Sequence, residues 1–352
     1  GDTDGDGVLT HWEYGQHLPP GIIRQLASEG SHLLADVSLR VGHTLPAEVF
    51  VPAIDGGPWP VILCRAEYGR WSTGRYAKDY GARGFAFVAV DNRQWDKGRH
   101  AVWQEKESSR HEIEDGHDVV EWIARQPWCN GRIGTVGGSG NAFASAMMIW
   151  GNISHFTVNA AGNTAGNTKY YWCFHNGVRR GTSYRWIGTR GAPISGPVPT
   201  LPKTAYEVDQ WRAFLDKRGR DCRTWYFNQT GWFDPMSQGA IDSFAALQHT
   251  GRAFVTVGPR GHGGISGLPG GAKEFPRKEP DERPNWAPSL EEILQENEPD
   301  DTQSTLKYYI MGDLTDPGAP GNCYMYTHVW PVAHEQAAWY LHRDGTLSRT
   351  EP

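Results

Sequence analysis

Residues Ile133–Val136 form a short apolar run that leads straight into Gly137-Gly138-Ser139-Gly140-Asn141, and helical spacing resumes over Ala142–Trp150. A strand that turns into a helix within so few residues needs a sharp bend, and a serine at its apex is held in a strained backbone with Oγ projecting outward. Small neighbours are required on both sides of such a serine. Asn141 stands where the last glycine of a G-x-S-x-G turn would be, and asparagine tolerates unusual backbone angles better than most residues.

The rest of the chain supplies the sheet that such a turn needs. Residues 36–52 read as two strands, with Val37, Leu39 and Val41 alternating before Val49, Phe50 and Val51. Val61–Cys64 and Phe85–Val90 are short buried runs, and helices are predicted over 74–83 and 108–126. The alternation resumes with a strand over Thr224–Phe227, a helix over 235–249 and a strand over Ala253–Val257. Strand and helix in turn predict an α/β class with a mostly parallel sheet covered on both faces. Residues 165–221 break the pattern with Gly, Asn, Arg, aromatics and four prolines (Pro193, Pro197, Pro199 and Pro202), with helical spacing only over 203–218. They read as a cap inserted over the carboxyl edge of the sheet. Residues 263–288 are a long irregular loop, followed by a short helix near 289–296 and strand-like pieces at 306–311 and 337–342.

The expected domains are a calcium-loop appendage over 1–20 and two halves of an α/β core over 30–164 and 222–300. The cap lies between the halves, and a C-terminal β segment occupies 301–352. At 352 residues the chain is long enough for one large core with insertions. Its formal net charge of −6, with no basic block, argues against nucleic acid or an anionic membrane as partner. No apolar run reaches the roughly 18 residues needed to span a bilayer. Nothing in the sequence sets an oligomeric state. The chain starts inside a motif and shows no signal peptide, as a mature or trimmed form would. Its five cysteines, Cys64, Cys129, Cys173, Cys222 and Cys323, form no zinc-type pair and leave room for one disulfide. The 16 tryptophans suit core packing, or an aromatic-lined cleft for sugars and flat apolar groups.

The N-terminus carries a separate signal. Asp2, Asp4 and Asp6 fall at loop positions one, three and five of a twelve-residue EF-hand loop. Gly7 sits at the turning position, the Val8 carbonyl at seven, Thr10 at nine and Glu13 at twelve. Carboxylates at alternate positions converge only around a cation, so a structural calcium ion is expected there. No helix precedes the loop, and Pro19 and Pro20 cut short the one after it. Calcium loops of this kind suit extracellular proteins, so a secreted or periplasmic location is expected. No cofactor is expected for catalysis.

A strand-end serine also predicts an order: an acid and then a histidine, each beyond a later strand. Gly231-Trp232-Phe233-Asp234 follows the strand over Thr224–Phe227, and Gly258-Pro259-Arg260-Gly261-His262 follows that over Ala253–Val257. Open α/β sheets place their sites at these carboxyl ends. In this reading His262 takes the Ser139 proton and later returns it to the leaving group. Asp234 fixes the imidazole tautomer and stabilises the imidazolium. Each residue also has a plainer role: Asp234 as a helix N-cap ahead of Pro235, His262 as an ordinary loop histidine.

The stretch Glu121-Trp122-Ile123-Ala124-Arg125-Gln126-Pro127-Trp128-Cys129-Asn130-Gly131-Arg132-Ile133-Gly134, running into the Ser139 turn, resembles the cocaine esterase and X-Pro dipeptidyl-peptidase family. The Asp234 and His262 segments are similar to its acid and histidine motifs. Arg65-Ala66-Glu67-Tyr68-Gly69-Arg70 resembles its early R-x-P-Y-x-K segment. The resemblance implies an α/β-hydrolase fold and an oxyanion hole made by the Tyr68 hydroxyl and the Gly140 N–H. Three departures stand out. Gly140, followed by Asn141, stands where the family usually has a tyrosine after the serine, which implies a wider pocket beside Ser139. Gln94-Trp95-Asp96-Lys97-Gly98 replaces a glycine-rich turn after Arg93 and brings Trp95 near the site. Tyr308–Gly312 and Trp339–Ser348 resemble the opening strands of the family's large C-terminal β-sandwich, the rest of which is either lost or cut off by truncation at residue 352.

The expected chemistry is hydrolysis of a small-molecule or carbohydrate-linked ester, or an aromatic one, through an acyl-enzyme. Glu67, Trp95, Asn141 and Trp232 are the pocket candidates. Amide or peptide hydrolysis is the first alternative. It needs a charged anchor for an α-amino group, for which Glu67 is a candidate against a solvated surface role. A non-catalytic calcium- or sugar-binding protein on the same fold is the second.

Overall fold

The computed structural model describes residues 31–52, 56–67, 69–93, 108–164, 174–175, 178–179, 205–262, 275, 287–316, 318, 320–335 and 337–351. In chain order the strands are β1 (Ser31–Ser38), β2 (Thr44–Val51), β3 (Trp59–Ala66), β4 (Ala86–Asp91), β5 (Cys129–Gly138) and β6 (Phe156–Gly162). The short β7 (Phe174–His175) and β8 (Val178–Arg179) follow, then β9 (Trp225–Gly231), β10 (Ala253–Gly258), β11 (Thr305–Ile310), β12 (Cys323–Thr327), β13 (Tyr340–Leu341) and β14 (Leu347–Ser348). The helices are α1 (Gly74–Gly81), α2 (Ser108–Ala124), α3 (Gly140–Met148), α4 (Ala205–Gly219), α5 (Ser237–Leu247) and α6 (Leu290–Leu294).

Ten strands form one sheet in the order β1-β2-β4-β3-β5-β6-β9-β10-β11-β12. The pairs from β4 through β11 are all parallel, while β1, β2 and β12 add antiparallel edges. The sequence explains the difference. β4 is buried at every residue, as a parallel strand covered on both faces must be, whereas β2 alternates buried and half-exposed positions. Helices α2 to α5 supply Val119, Ile123, Phe143, Met147, Leu215 and Phe244 to the core on one face. Helices α1 and α6 supply Ala77, Leu290, Ile293 and Leu294 on the other.

Four expectations change. Strand β6 is absent from the sequence reading: Phe156-Thr157-Val158-Asn159-Ala160-Ala161-Gly162 is buried but interrupted by small and polar residues, which hides its period. Helix α4, assigned to the cap, instead packs Leu215 into the core beside α5. The segment Tyr308–Gly312 does not open a separate sandwich. β11 pairs in parallel with β10, Val255 opposite Leu306, and so extends the central sheet. Finally, Cys64, Cys129, Cys222 and Cys323 are free thiols, so no disulfide joins cysteines among the described residues. Burial pushes the Cys64 thiol up to about 12, which keeps it unreactive. The rest of the cap, Cys173 and the calcium loop lie outside the described residues.

Candidate active site

Ser139 sits between β5 and α3 with φ 56° and ψ −123°, a backbone geometry rare for a residue with a side chain. Gly137 makes the bend feasible. A Cβ there would lie 2.4 Å from the Asn141 carbonyl oxygen, whereas one at Gly138 would meet nothing within 4 Å. The Ser139 N–H donates to the Gly162 carbonyl at 2.8 Å and ties the turn to the end of β6. That amide is therefore spent on the scaffold. Gly140 opens α3 directly afterward, in the place from which its N–H is expected to serve an oxyanion.

The acid and histidine turns are laced together. Trp232 N–H donates to the Gly258 carbonyl at 2.9 Å and Phe233 N–H to the Arg260 carbonyl at 3.1 Å. Arg260 reaches back with Nε to the Thr230 carbonyl at 3.2 Å and Nη2 to Gln229 Oε1 at 3.3 Å. The turns approach so closely that a Cβ on Gly231 would lie 1.9 Å from the Arg260 carbonyl oxygen. This lacing fixes Asp234 against His262. Asp234 is only 2% exposed. Its Oδ1 accepts the Met236 N–H at 2.9 Å and bonds His262 Nδ1 at 3.0 Å. His262 Nε2 in turn lies 2.8 Å from Ser139 Oγ.

With the Nδ1 proton directed at the carboxylate, Nε2 is left to accept the serine hydroxyl, and the tautomer follows from this network. Helix α5 starts at Ser237, so Asp234 is not its N-cap; the carboxylate closes the preceding turn through Met236 and orients the histidine at once. The line from hydroxyl to imidazole to buried carboxylate has the distances required for a serine activated by a general base.

Residues 42–195 match the X-Pro dipeptidyl-peptidase (S15) family. Over that stretch the chain is similar to the S15 family, and its fold is that of the α/β-hydrolases. A protein named "Putative serine esterase" from Mycobacterium bovis is 36% identical over 135 residues, taking in 32% of this chain and 21% of the relative. Its Mycobacterium tuberculosis counterpart matches equally. The chain spans about a fifth of the length of the curated relatives it matches. Among solved structures, an α-amino acid ester hydrolase covers 92% of the chain at TM-score 0.61 and 15% identity, with 63% of its own length covered. A CocE/NonD family hydrolase from Staphylococcus aureus covers 91% at TM-score 0.60 and 18% identity, over 60% of its length. At such identity these two describe the fold.

The structure brings Ser139, Asp234 and His262 together and places Gly140 and Asn141 in the first turn of α3. Tyr68, Trp95 and the calcium ligands Asp2, Asp4, Asp6, Val8, Thr10 and Glu13 lie outside the described residues. Two pocket candidates make contacts with the scaffold. Glu67 is no solvated surface group: it is 4% exposed and accepts Asn92 Nδ2 at 2.9 Å, which turns a carboxylate oxygen toward the scaffold. The half-buried Trp232 packs against the core, and its indole N–H donates to the Tyr309 carbonyl at 2.6 Å, which joins the acid turn to β11.

A buried ionic group beside the site goes unnoticed in the sequence. Arg65 Nη2 donates to Glu112 Oε2 at 2.8 Å, with both side chains buried. Arg93 forms a two-nitrogen fork with Asp115, its Nε at 2.9 Å. Arg70 binds Asp91 through its side chain and through its N–H, the latter at 2.6 Å. Burial pushes the Asp91 carboxyl up despite Arg70. Burial also pushes Glu112 up to about 7, against the pull of Arg65 and with repulsion from Asp115 and Glu67. The available signal was a pair of acids, Glu112 and Asp115, three apart on an otherwise apolar helical face.

Proposed function

We propose that the protein is a serine hydrolase that cleaves carboxylic esters through an acyl-enzyme, carbohydrate-linked and aromatic esters among them. The observation that carries the reading is the line from Ser139 Oγ through His262 to Asp234, at 2.8 and 3.0 Å, at the carboxyl ends of neighbouring strands. Ser139 attacks the acyl carbonyl as His262 takes its proton. The imidazolium, held by Asp234, gives that proton to the departing alcohol. A water deprotonated by His262 then frees the acid and restores the serine. Gly140 N–H and the Tyr68 hydroxyl receive the oxyanion in this reading, and Tyr68→Phe lowers kcat by roughly 10²–10³. The name of the mycobacterial relatives favours esters over amides.

The test is hydrolysis of p-nitrophenyl acetate, butyrate and octanoate by the wild type and by Ser139→Ala. Turnover that falls by a factor on the order of 10⁶ in the variant supports the nucleophile. Equal rates in both proteins would overturn it. A structural calcium ion at Asp2, Asp4, Asp6, Val8, Thr10 and Glu13, and export from the cytoplasm, belong to the same proposal on the strength of the loop sequence.

A further inference from the structure

A parallel strand covered on both faces buries its side chains, yet Gln229 in the central strand β9 is exposed. The register shows where this opening lies. Gly138, Gly162, Gln229, Thr256 and Lys307 pair in turn across β5, β6, β9, β10 and β11, so they form one row on one face of the sheet. Helix α6 covers that face lower down, where Leu290 and Leu294 stand over Gly134. At the row itself Gly138 and Gln229 are exposed, and Thr256 and Lys307 are half-buried. The row starts at the residue before Ser139 and runs about 19 Å to Lys307, at roughly 4.8 Å per strand. Arg260 forms its upper lip. Arg260 Nη2 donates to Gln229 Oε1 at 3.3 Å and Nε to the Thr230 carbonyl at 3.2 Å, and both acceptors are neutral. Among the described residues Arg260 forms no ion pair, and Asp234 of the adjoining turn is committed to Met236 and His262. With Oε1 on the guanidinium, the Gln229 amide turns its NH2 end toward Gly162, where a Cβ would lie 3.6 Å from Nε2. A Cβ on Gly258 would lie 3.1 Å from the Tyr324 hydroxyl and 3.7 Å from Arg260 Cδ, so the tyrosine flanks the arginine stem. Lys307 Nζ sits 4.5 Å from the centre of the Tyr324 ring, further along the row.

We propose that Arg260, with the Gln229 amide beside it, is a subsite for a carboxylate carried by the ester substrate. The inference rests on the serine-hydrolase reading above and names the substrate class. A guanidinium is a planar fork of donors that matches a carboxylate with two parallel bonds. The two neutral acceptors orient the Arg260 fork without cancelling its charge. The Gln229 NH2 group adds a donor on the side toward Ser139, and Gly162 and Gly258 have no side chains to keep a ligand away. The subsite is also tied to the catalytic line at both ends. Arg260 stands two residues before His262, and Gln229 pairs with Gly162, whose carbonyl accepts the Ser139 N–H. Lys307 lies two strands from Gln229, about 10 Å away, so it attracts an anion along the row without sharing the same carboxylate. The substrates that fit are monoesters of dicarboxylic acids and esters whose alcohol carries a carboxylate, as an acidic sugar does.

The experiment measures kcat/KM on two matched pairs of esters. The p-nitrophenyl monoester of glutaric acid against p-nitrophenyl butyrate places the charge on the acyl side. The acetate ester of p-hydroxybenzoate against phenyl acetate places it on the alcohol side. Each pair is run with the wild type, Arg260→Gln and Gln229→Glu, so that the intrinsic reactivities of the esters cancel. Because the Arg260 side chain also laces the acid and histidine turns, Arg260→Gln is expected to slow both members of a pair, and the ratio of acidic to neutral ester reads the charge. Gln229→Glu keeps an acceptor on Nη2 while cancelling the cation, which a purely structural Arg260 would tolerate. For at least one pair the ratio is expected to fall about 10- to 100-fold in both variants, mainly through KM. The wild-type ratio for that pair is expected to shrink between about 0.01 M and about 1 M salt, where the screening length drops to about 3 Å. The pair that responds identifies which side of the scissile bond carries the acid. A ratio that survives in either folded variant for both pairs overturns the subsite. Should Arg260→Gln fail to fold, Gln229→Glu decides: a fallen ratio supports the subsite and an unchanged one rejects it. If the wild type turns over none of these esters and takes no fluorophosphonate at Ser139, the hydrolase reading fails and takes this inference with it. If the wild type is active and the ratios do not move, only the subsite fails.

Discussion

Two adjacent glycines before the nucleophile do different jobs. Gly137 faces the Asn141 carbonyl with no room for a methyl group, while Gly138 faces open space. Backbone cannot move aside as a side-chain tip can. Gly137→Ala is therefore expected to lose about 1–3 kcal/mol of stability in urea denaturation. Gly138→Ala is expected to stay within about 0.5 kcal/mol of the wild type. Equal losses would show that the bend is held by something other than this close approach. Glu112 gives a second test, with its sign set by the direction of its shift. A carboxyl raised from 4.5 to about 7 on folding favours the folded state below the lower value, and that advantage is lost as pH rises through the upper one. Glu112→Gln lacks this titration. The melting temperature of the variant relative to the wild type is expected to rise between about pH 4.5 and 7.5; an unchanged gap would contradict the shift.

The turns after β9 and β10 behave as one element. Their mutual hydrogen bonds, and the absence of space at Gly231, set the Asp234–His262 distance before any substrate arrives. The serine bend and the order of serine, acid and histidine were legible because each lies in a short segment between a strand and a helix, where glycine and periodicity speak clearly. The lacing was not legible, since it depends on two turns 28 residues apart meeting face to face. Strand β6 escaped because Asn159 and the small residues after it blur its apolar run. Asn159 is nonetheless buried, and Thr135 Oγ1 donates to its Oδ1 at 2.9 Å. Helix α4 was read correctly as a helix but misplaced, because pattern identifies an amphipathic face without saying which neighbour covers it. The N-terminal loop makes its own prediction. If it binds calcium, adding calcium in large excess over Kd stabilises the protein by about 2.7 kcal/mol at a hundredfold excess, and a chelator reverses this. Identical melting curves in calcium and in chelator would contradict the proposed metal role.

The sheet as a unit explains why the chemistry sits where it does. Six consecutive parallel pairings from β4 to β11 bring the carboxyl ends of those strands to one edge. β5, β6, β9 and β10 are direct neighbours there, so residues 123 and 28 apart in sequence become adjacent. Class and sheet direction could be read from the alternation of strand and helix. The place of β11 and β12 could not, because a strand's sequence does not say which edge it joins. Among the described residues no helix is long and apolar enough to cross a membrane. The proposed chemistry turns on Ser139 as a nucleophile activated through His262 by Asp234. Labelling with a fluorophosphonate, followed by mapping of the modified peptide, tests this directly. The expected result is a single adduct on Ser139, absent from Ser139→Ala and formed far more slowly in Asp234→Asn, where the tautomer is wrong. A folded wild-type protein that takes no label, or takes it with equal speed without Asp234, would contradict the account.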